Sequence, residues 1–180
     1  MLVNAMDKLS TTRSFPRVVR ESDCSALEVL GPTVQFLVGP RSGDETPCVL
    51  KGMIPAGVTI PLHSHDVVEI FFVLYGNIDV LIEEAGELHW VEGSAGNLVE
   101  IPGNSKHAVR NRSEHPAITL LFTTSKHGRY FQEIGRSVAL GENIRPPTPK
   151  EIQHFLNTAK RYGYWFATPE ENAALGITLH

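Results

Sequence analysis

His63-Ser64-His65-Asp66-Val67-Val68-Glu69-Ile70-Phe71-Phe72-Val73-Leu74-Tyr75 places two imidazoles and a carboxylate directly ahead of an apolar run. His63 and His65 differ by two, so on an extended strand their side chains leave the same face. Glu69 shares that parity if the chain stays extended or reverses through a tight turn. Farther along, His107 supplies a third imidazole. Three neutral nitrogens and one anionic oxygen make a coordination set for one divalent transition metal such as Fe, Mn, Ni, Cu or Zn. The run from Ile70 to Leu74 is apolar at every position, which predicts a strand buried on both faces. Glu69 at its entrance then needs a metal or a hydrogen-bonding partner, because an unpaired buried carboxylate is costly.

The residues around these ligands sharpen the signal. Gly57, five residues, His63, one, His65, three, Glu69, six, Gly76 is one pattern; Gly96, five residues, Pro102, four, His107, three, Asn111 is a second. At ordinary residue frequencies the first pattern arises by chance at roughly one in a million starting positions or fewer. With both patterns in place the chain resembles the cupin superfamily, whose motifs are G-x5-H-x-H-x3,4-E-x6-G and G-x5-P-x-G-x2-H-x3-N. One position departs: Asn104 stands where the second motif has an internal glycine. A turn there needs positive φ, and Asn tolerates it better than other ordinary residues. Gly57, Gly76, Gly96, Pro102 and Asn111 read as architectural, supplying turns, bulges and a strand-end hydrogen bond.

Outward from the motifs, the first three quarters of the chain read as β. Short runs rich in Val, Ile, Leu, Phe and Thr (17–20, 33–38, 48–54, 68–75, 78–83, 88–91, 97–101, 108–111 and 118–123) alternate with Gly, Pro, Asn and Ser. Strands at that spacing without intervening helices predict an antiparallel sandwich or barrel, and the resemblance implies a single jelly-roll barrel. The expected organisation is therefore mainly β, with a barrel and an N-terminal arm over 1–140 and a short α-helical C-terminal extension over 141–180 packed on the same domain. In that extension Thr148-Pro149-Lys150-Glu151 reads as an N-cap, a first-turn proline and a capping-box glutamate, and Thr168-Pro169-Glu170-Glu171 repeats the signal. Ile152, Phe155, Leu156 and Ala159 follow at helical spacing up to Gly163, and Gly176 closes the second helix. A weaker third helix is expected over 127–134. Packing on the outer wall is the preferred reading of this tail over a lid across the cavity mouth, because an amphipathic stripe ordinarily marks burial.

Bulk properties fit one compact domain: 180 residues, 42% hydrophobic, suffice for one core. A formal net charge of -4 with no Lys or Arg run argues against nucleic acid or an anionic membrane as partner and favours a small-molecule substrate. Residues 1–16 carry Asp7, Lys8 and Arg13 without an apolar block, so neither a signal peptide nor a spanning helix is expected, and the expected compartment is the cytoplasm. Cys24 and Cys48 then read as reduced thiols. His89, His115, His127, His154 and His180 read as surface or packing residues, and Phe71, Phe72 and Tyr75 as core.

The resemblance implies several activities: dioxygen activation, sugar-phosphate isomerisation, lyase reactions and, where ligands are lost, ligand storage or sensing. All four ligand positions are filled here. The tail around 127–135 and 161–163 is similar to that of bacterial single-domain cupins described as quercetin-dioxygenase-like. The leading expectation is thus a metal-dependent oxygenase acting on a small apolar, oxygen-bearing molecule such as a flavonol or other diol. His63, His65, Glu69 and His107 would hold the metal, with Glu69 also acting as base. A metal-dependent isomerase or lyase, and a non-catalytic ligand-binding module, are the alternatives. The resemblance also implies a homodimer formed through sheet edges, with the strand expected at Arg17–Arg20 as a candidate edge.

Overall fold

A computed structural model describes residues 16–139 and 145–178. Twelve strands and three helices follow one another as β1 Ala26–Glu28, β2 Thr33–Val38, β3 Pro47–Ile54, β4 Thr59–Ser64, β5 Glu69–Tyr75, β6 Asn77–Glu84, β7 Glu87–Ser94, β8 Leu98–Ile101, β9 His107–Arg110, β10 Ala117–Thr124, α1 Ser125–Ile134, β11 Arg136–Val138, α2 Pro149–Arg161, β12 Trp165–Phe166 and α3 Pro169–Ala174. The strands form two antiparallel sheets, one of seven in the order β11-β1-β2-β3-β10-β5-β8 and one of five in the order β12-β4-β9-β6-β7. Leu50 and Val73 from the first sheet meet Ile78, Val80 and Val109 from the second in one buried core.

The expected closed barrel is not what forms. Among the described residues no ladder joins β8 to β7, so the two sheets remain a sandwich. Where they approach each other, the Val99 side chain fills the space over Gly93, a packing contact in place of the hydrogen bonds that closure requires. Gly76, with φ +73, turns the chain from β5 into β6 and leaves no room for a side chain against Pro116 O and Ala117 Cα, 3.0 and 3.1 Å from a Cβ built there.

Several local expectations are corrected. Residues 17–20 pair with no strand: Val18 is 80% exposed and offers no buried face to hold a ladder, which removes the edge proposed there for dimerisation. Strand β5 buries one face, Glu69, Phe71 and Val73, while Ile70 and Phe72 on the other are half-buried; Leu74 and Tyr75 at its end are exposed, so Tyr75 is not core. Strands β1, β4, β11 and β12 carry no clear periodic signal; β4 is interrupted by Pro61, and β12 is two residues long.

Both capping boxes form. Thr148 Oγ1 accepts from Glu151 N, and Glu151 Oε2 accepts from Thr148 N at 2.7 Å; Thr168 and Glu171 repeat the arrangement. The apolar stripe on α2 is only partly covered, with Ala159 buried but Ile152 and Leu156 exposed. Helix α2 lies against α1, where His154 Nε2 donates to Glu133 O at 2.9 Å. The boundary near Gly141 and the N-terminal arm before Pro16 lie outside the described residues. Cys24 and Cys48 are both free thiols. Among the described residues no helix is long and apolar enough to cross a membrane.

Candidate metal centre

Strand β4 delivers His63 near its end, His65 follows just past it, a bend at 66–68 carries the chain into the other sheet, and Glu69 opens β5. His107 opens β9 and sits opposite His63 in the β4–β9 ladder. The three imidazoles close on one another, with ring centroids 4.2 Å apart for His63 and His107, 5.1 Å for His65 and His107, and 5.5 Å for His63 and His65. Each ring spends its Nδ1–H on a main-chain carbonyl two residues away: His63 on Pro61 O at 2.8 Å, His65 on Val67 O at 3.0 Å, His107 on Ser105 O at 2.9 Å. That leaves Nε2 of every ring for the centre, the tautomer a metal ligand requires. Nε2 of His65 and of His107 is buried with no hydrogen-bond partner. Buried orphans of this kind call for an explanation, and a cation supplies one.

Glu69 faces the same point. Its Oε2 lies 3.3 Å from His107 Nε2 and its Oε1 4.0 Å from His65 Nε2. Two clusters have ligand atoms within 4.8 Å of one another: His63, His65 and His107, and His65, Glu69 and His127. Burial pushes His63 down to about 3, with His107 and His65 adding to the effect, and lowers His65 as well. Burial also acts against charge on His107 and Glu69, but Glu69 outweighs it at His107, raising that imidazole, and His127, His107 and His65 together outweigh it at Glu69, lowering the carboxyl. Burial thus favours the neutral form of His63 and His65, the form in which an imidazole binds a metal. The residues present fit a divalent transition ion.

The two loops that carry the candidate ligands are tied together. Asn104 N donates to His65 O at 2.6 Å, and Asn104 adopts φ 69, the left-handed conformation its motif position demands. Lys126 at the start of α1 donates to both Asp66 oxygens at 2.7 and 2.6 Å. Asn111 makes the expected strand-end bonds, donating to Ile54 O at 3.0 Å and His115 O at 2.8 Å.

His127 is the residue that sequence reasoning misplaced. It is 2% exposed, and its Nδ1 lies 3.4 Å from Glu69 Oε1 and 3.1 Å from Thr123 Oγ1. The Thr123 hydroxyl commits its one proton to Val68 O at 2.7 Å, so it accepts from His127 Nδ1–H, which fixes the tautomer. The signal available was the polar run Thr123-Thr124-Ser125 at the end of a mostly apolar stretch. The tail reaches the site as well: Trp165 and Phe166 pair with Ser64 and His63, and the rings of Tyr164 and Phe166 lie 6.2 and 5.9 Å from that of His63. His89, His115 and His154 are exposed and lie elsewhere, as expected, while His180 is outside the described residues.

Residues 50–123 match the family model Cupin_2, a cupin domain. Comparison with curated proteins returns no match. Among solved structures the chain is similar to the polyketide cyclase RemF from Streptomyces resistomycificus, at 16% identity and TM-score 0.51 over 62% of this chain and 80% of that one. It is similar to KdgF from Halomonas sp. at the same identity and TM-score, over 62% of this chain and 94% of that one. Bacillus subtilis oxalate decarboxylase, a protein with Mn(II) centres, matches at 19% identity and TM-score 0.47 over 57% of this chain; the match spans 28% of its length. The family match and the shared fold support the cupin superfamily.

Proposed function

We propose that this chain, with its cupin domain over residues 50–123, is a metal-dependent enzyme whose ion is held by His63, His65, His107 and Glu69, and that it is an oxygenase for a small, planar, oxygen-bearing molecule such as a flavonol or other diol. The observation that carries the reading is the buried convergence of three imidazoles, each with Nδ1 tied to the main chain, on one carboxylate. When bound, a divalent transition ion supplies a Lewis acid that acidifies a coordinated hydroxyl and leaves positions open for substrate. The rest is the work of the chain. His127, held by Thr123, leans on Glu69 Oε1 and fixes the carboxylate's orientation; Glu69 takes the hydroxyl proton. The aromatic rings of Tyr164 and Phe166 at the histidines favour a planar organic substrate over a sugar phosphate, which would want cationic groups there.

The test is elemental analysis followed by oxygen-electrode screening with diols, flavonols and thiols. His63→Ala, His65→Ala and His107→Ala should each lose most of the metal, and full occupancy in all three ends the assignment. Glu69→Gln keeps size and an acceptor but removes the base, so activity should fall more than metal content. Turnover without oxygen uptake would favour the isomerase or lyase reading, and tight binding without turnover the binding module. A homodimer belongs to the same proposal, supported by exposed Leu74, Tyr75, Leu98 and Phe122 on the neighbouring strands β5, β8 and β10; sedimentation velocity tests it.

A further inference from the structure

Tyr130 on α1 and Tyr164 just before β12 stack on each other, with ring centroids 4.3 Å apart and planes inclined by 26°. Both hydroxyl oxygens are buried, and neither has a hydrogen-bond partner. Buried phenols ordinarily find one, so two orphans on stacked rings call for a reason. Their position suggests it. The Tyr164 ring lies 4.7 Å from that of His65 and parallel to that of His63, within 5° at 6.2 Å, and both tyrosines stand 6.2 Å from the His127 ring. Tyr164 therefore borders the candidate metal centre, and Tyr130 stands against Tyr164 and His127. Apolar rings continue the wall, with Phe166 stacked 6.0 Å from Tyr164 and Phe155 5.4 Å from Phe166.

A phenol keeps its proton at neutral pH, and burial strengthens that preference at both rings. A protonated phenol with no acceptor in the fold is a donor in waiting. A charged oxygen is the acceptor that uses such a donor best, and two O–H groups can share one oxygen's lone pairs. The aromatic wall selects for a flat molecule.

We propose that Tyr130 and Tyr164 are substrate-binding residues whose hydroxyls donate to an oxygen of a planar, oxygen-bearing anion of the catecholate or enolate class seated against the histidines. The proposal rests on the metal-site reading above and adds to it the groups that would select the ligand. Catechol is the probe. Its affinity is measured by calorimetry under anaerobic conditions on metal-loaded wild type, Tyr130→Phe, Tyr164→Phe and the double variant, alongside the melting temperature of each protein stripped of metal. Each Phe substitution should weaken catechol about tenfold, the loss of one hydrogen bond to a charged acceptor. Neither should lower the melting temperature of the stripped protein, because no partner within the fold is lost. Equal catechol affinity in wild type and the double variant overturns the proposal, as does wild type that binds no catechol. A lower melting temperature in both stripped single variants also overturns it, since the hydroxyls would then be serving the fold. Failure of the metal-site reading would show separately, as wild type that retains no metal; the catechol comparison on that metal-free protein then decides by the same criteria.

Discussion

Replacing Gly103 with Ala should damage the proposed metal centre without touching a proposed ligand. Gly103 lies in the turn between Pro102 and His107, outside the left-handed region, so its backbone alone would accept any side chain. Space is what forbids one. A Cβ built there overlaps Asp66 O and lies 2.9 Å from the Asp66 carbonyl carbon, main-chain atoms that cannot rotate away. Carbon–carbon contacts settle near 3.5 Å, so relieving that contact alone moves one turn from the other by about 0.6 Å. The turn at 102–106 leads into His107, the opposing turn follows His65, and Asn104 N to His65 O at 2.6 Å is their clasp. Metal sites tolerate displacements of roughly 0.2 Å, so the shift exceeds the tolerance about threefold. Overpacking of this kind costs about 1–3 kcal/mol. For a chain of 180 residues that lowers the melting temperature by about 2–12 °C. Competition with a chromophoric chelator should show metal affinity reduced by about 10–100-fold, the range found when groups supporting a metal ligand are disturbed. Gly39→Ala is the control: it has no atom within 4 Å of its added Cβ and an ordinary φ, so it should be neutral or slightly stabilising. A Gly103→Ala protein with wild-type melting temperature and chelator competition would refute the reasoning.

Asn104, at φ 69, should accept Gly with stability unchanged or raised by up to about 1 kcal/mol, whereas Asn104→Val should lose about 1–2 kcal/mol in urea melts; equal stability of the Gly and Val variants would show that the left-handed turn is not under constraint. The two thiols should separate by environment. Burial pushes Cys48 from 9.0 up to about 12, its Sγ–H donating to Val38 O at 3.1 Å, while Cys24 is half-buried. At pH 8 a disulfide reagent should therefore titrate one thiol in the native protein and two after denaturation. The sign of the linkage follows: the folded protein keeps a proton on Cys48 that the unfolded chain releases, so this contribution is complete below pH 9.0 and is lost as pH rises toward about 12. Two fast-reacting thiols in the native state, or a Cys48→Ala variant with the same stability loss over that window, would count against it.

What could be read from the sequence divides by how far along the chain the physics acts. The capping boxes at Thr148 and Thr168 involve residues three apart, and they form as written. His63, His65 and Glu69 span one strand end and one turn, so their spacing nearly specifies their proximity. His107 was reachable because its own motif placed it at the start of a strand, although its position opposite His63 is a matter of ladder register. Residues 33–38 read as a strand with the boundaries β2 has, whereas Pro61 hides β4 even though β4 carries His63. Barrel closure failed as an expectation for a similar reason: whether β8 pairs with β7 depends on how Val99 packs over Gly93, a contact no period or motif encodes.

The residues missed at the site share one cause. His127 meets Glu69 because β10 pairs with β5, where Phe122 stands opposite Ile70, and because the first turn of α1 folds back over that ladder. Tyr164 meets His65 because two residues of β12 pair with β4. Neither juxtaposition follows from sequence distance, periodicity or local propensity; each follows from which strands become neighbours. The ligand set is thus written locally, in motifs that many folds of this type can share, while the surroundings of the ligands come from distant segments, the α1 helix and the C-terminal tail. Selectivity between substrates is decided by those surroundings, since a metal with the same ligands accepts many oxygen donors. On the proposed function, the part of the chain least legible in sequence is therefore the part on which the choice of substrate would depend, and variants at Tyr130, Tyr164 and His127 should change what the site accepts more than variants at the turns that hold the candidate ligands.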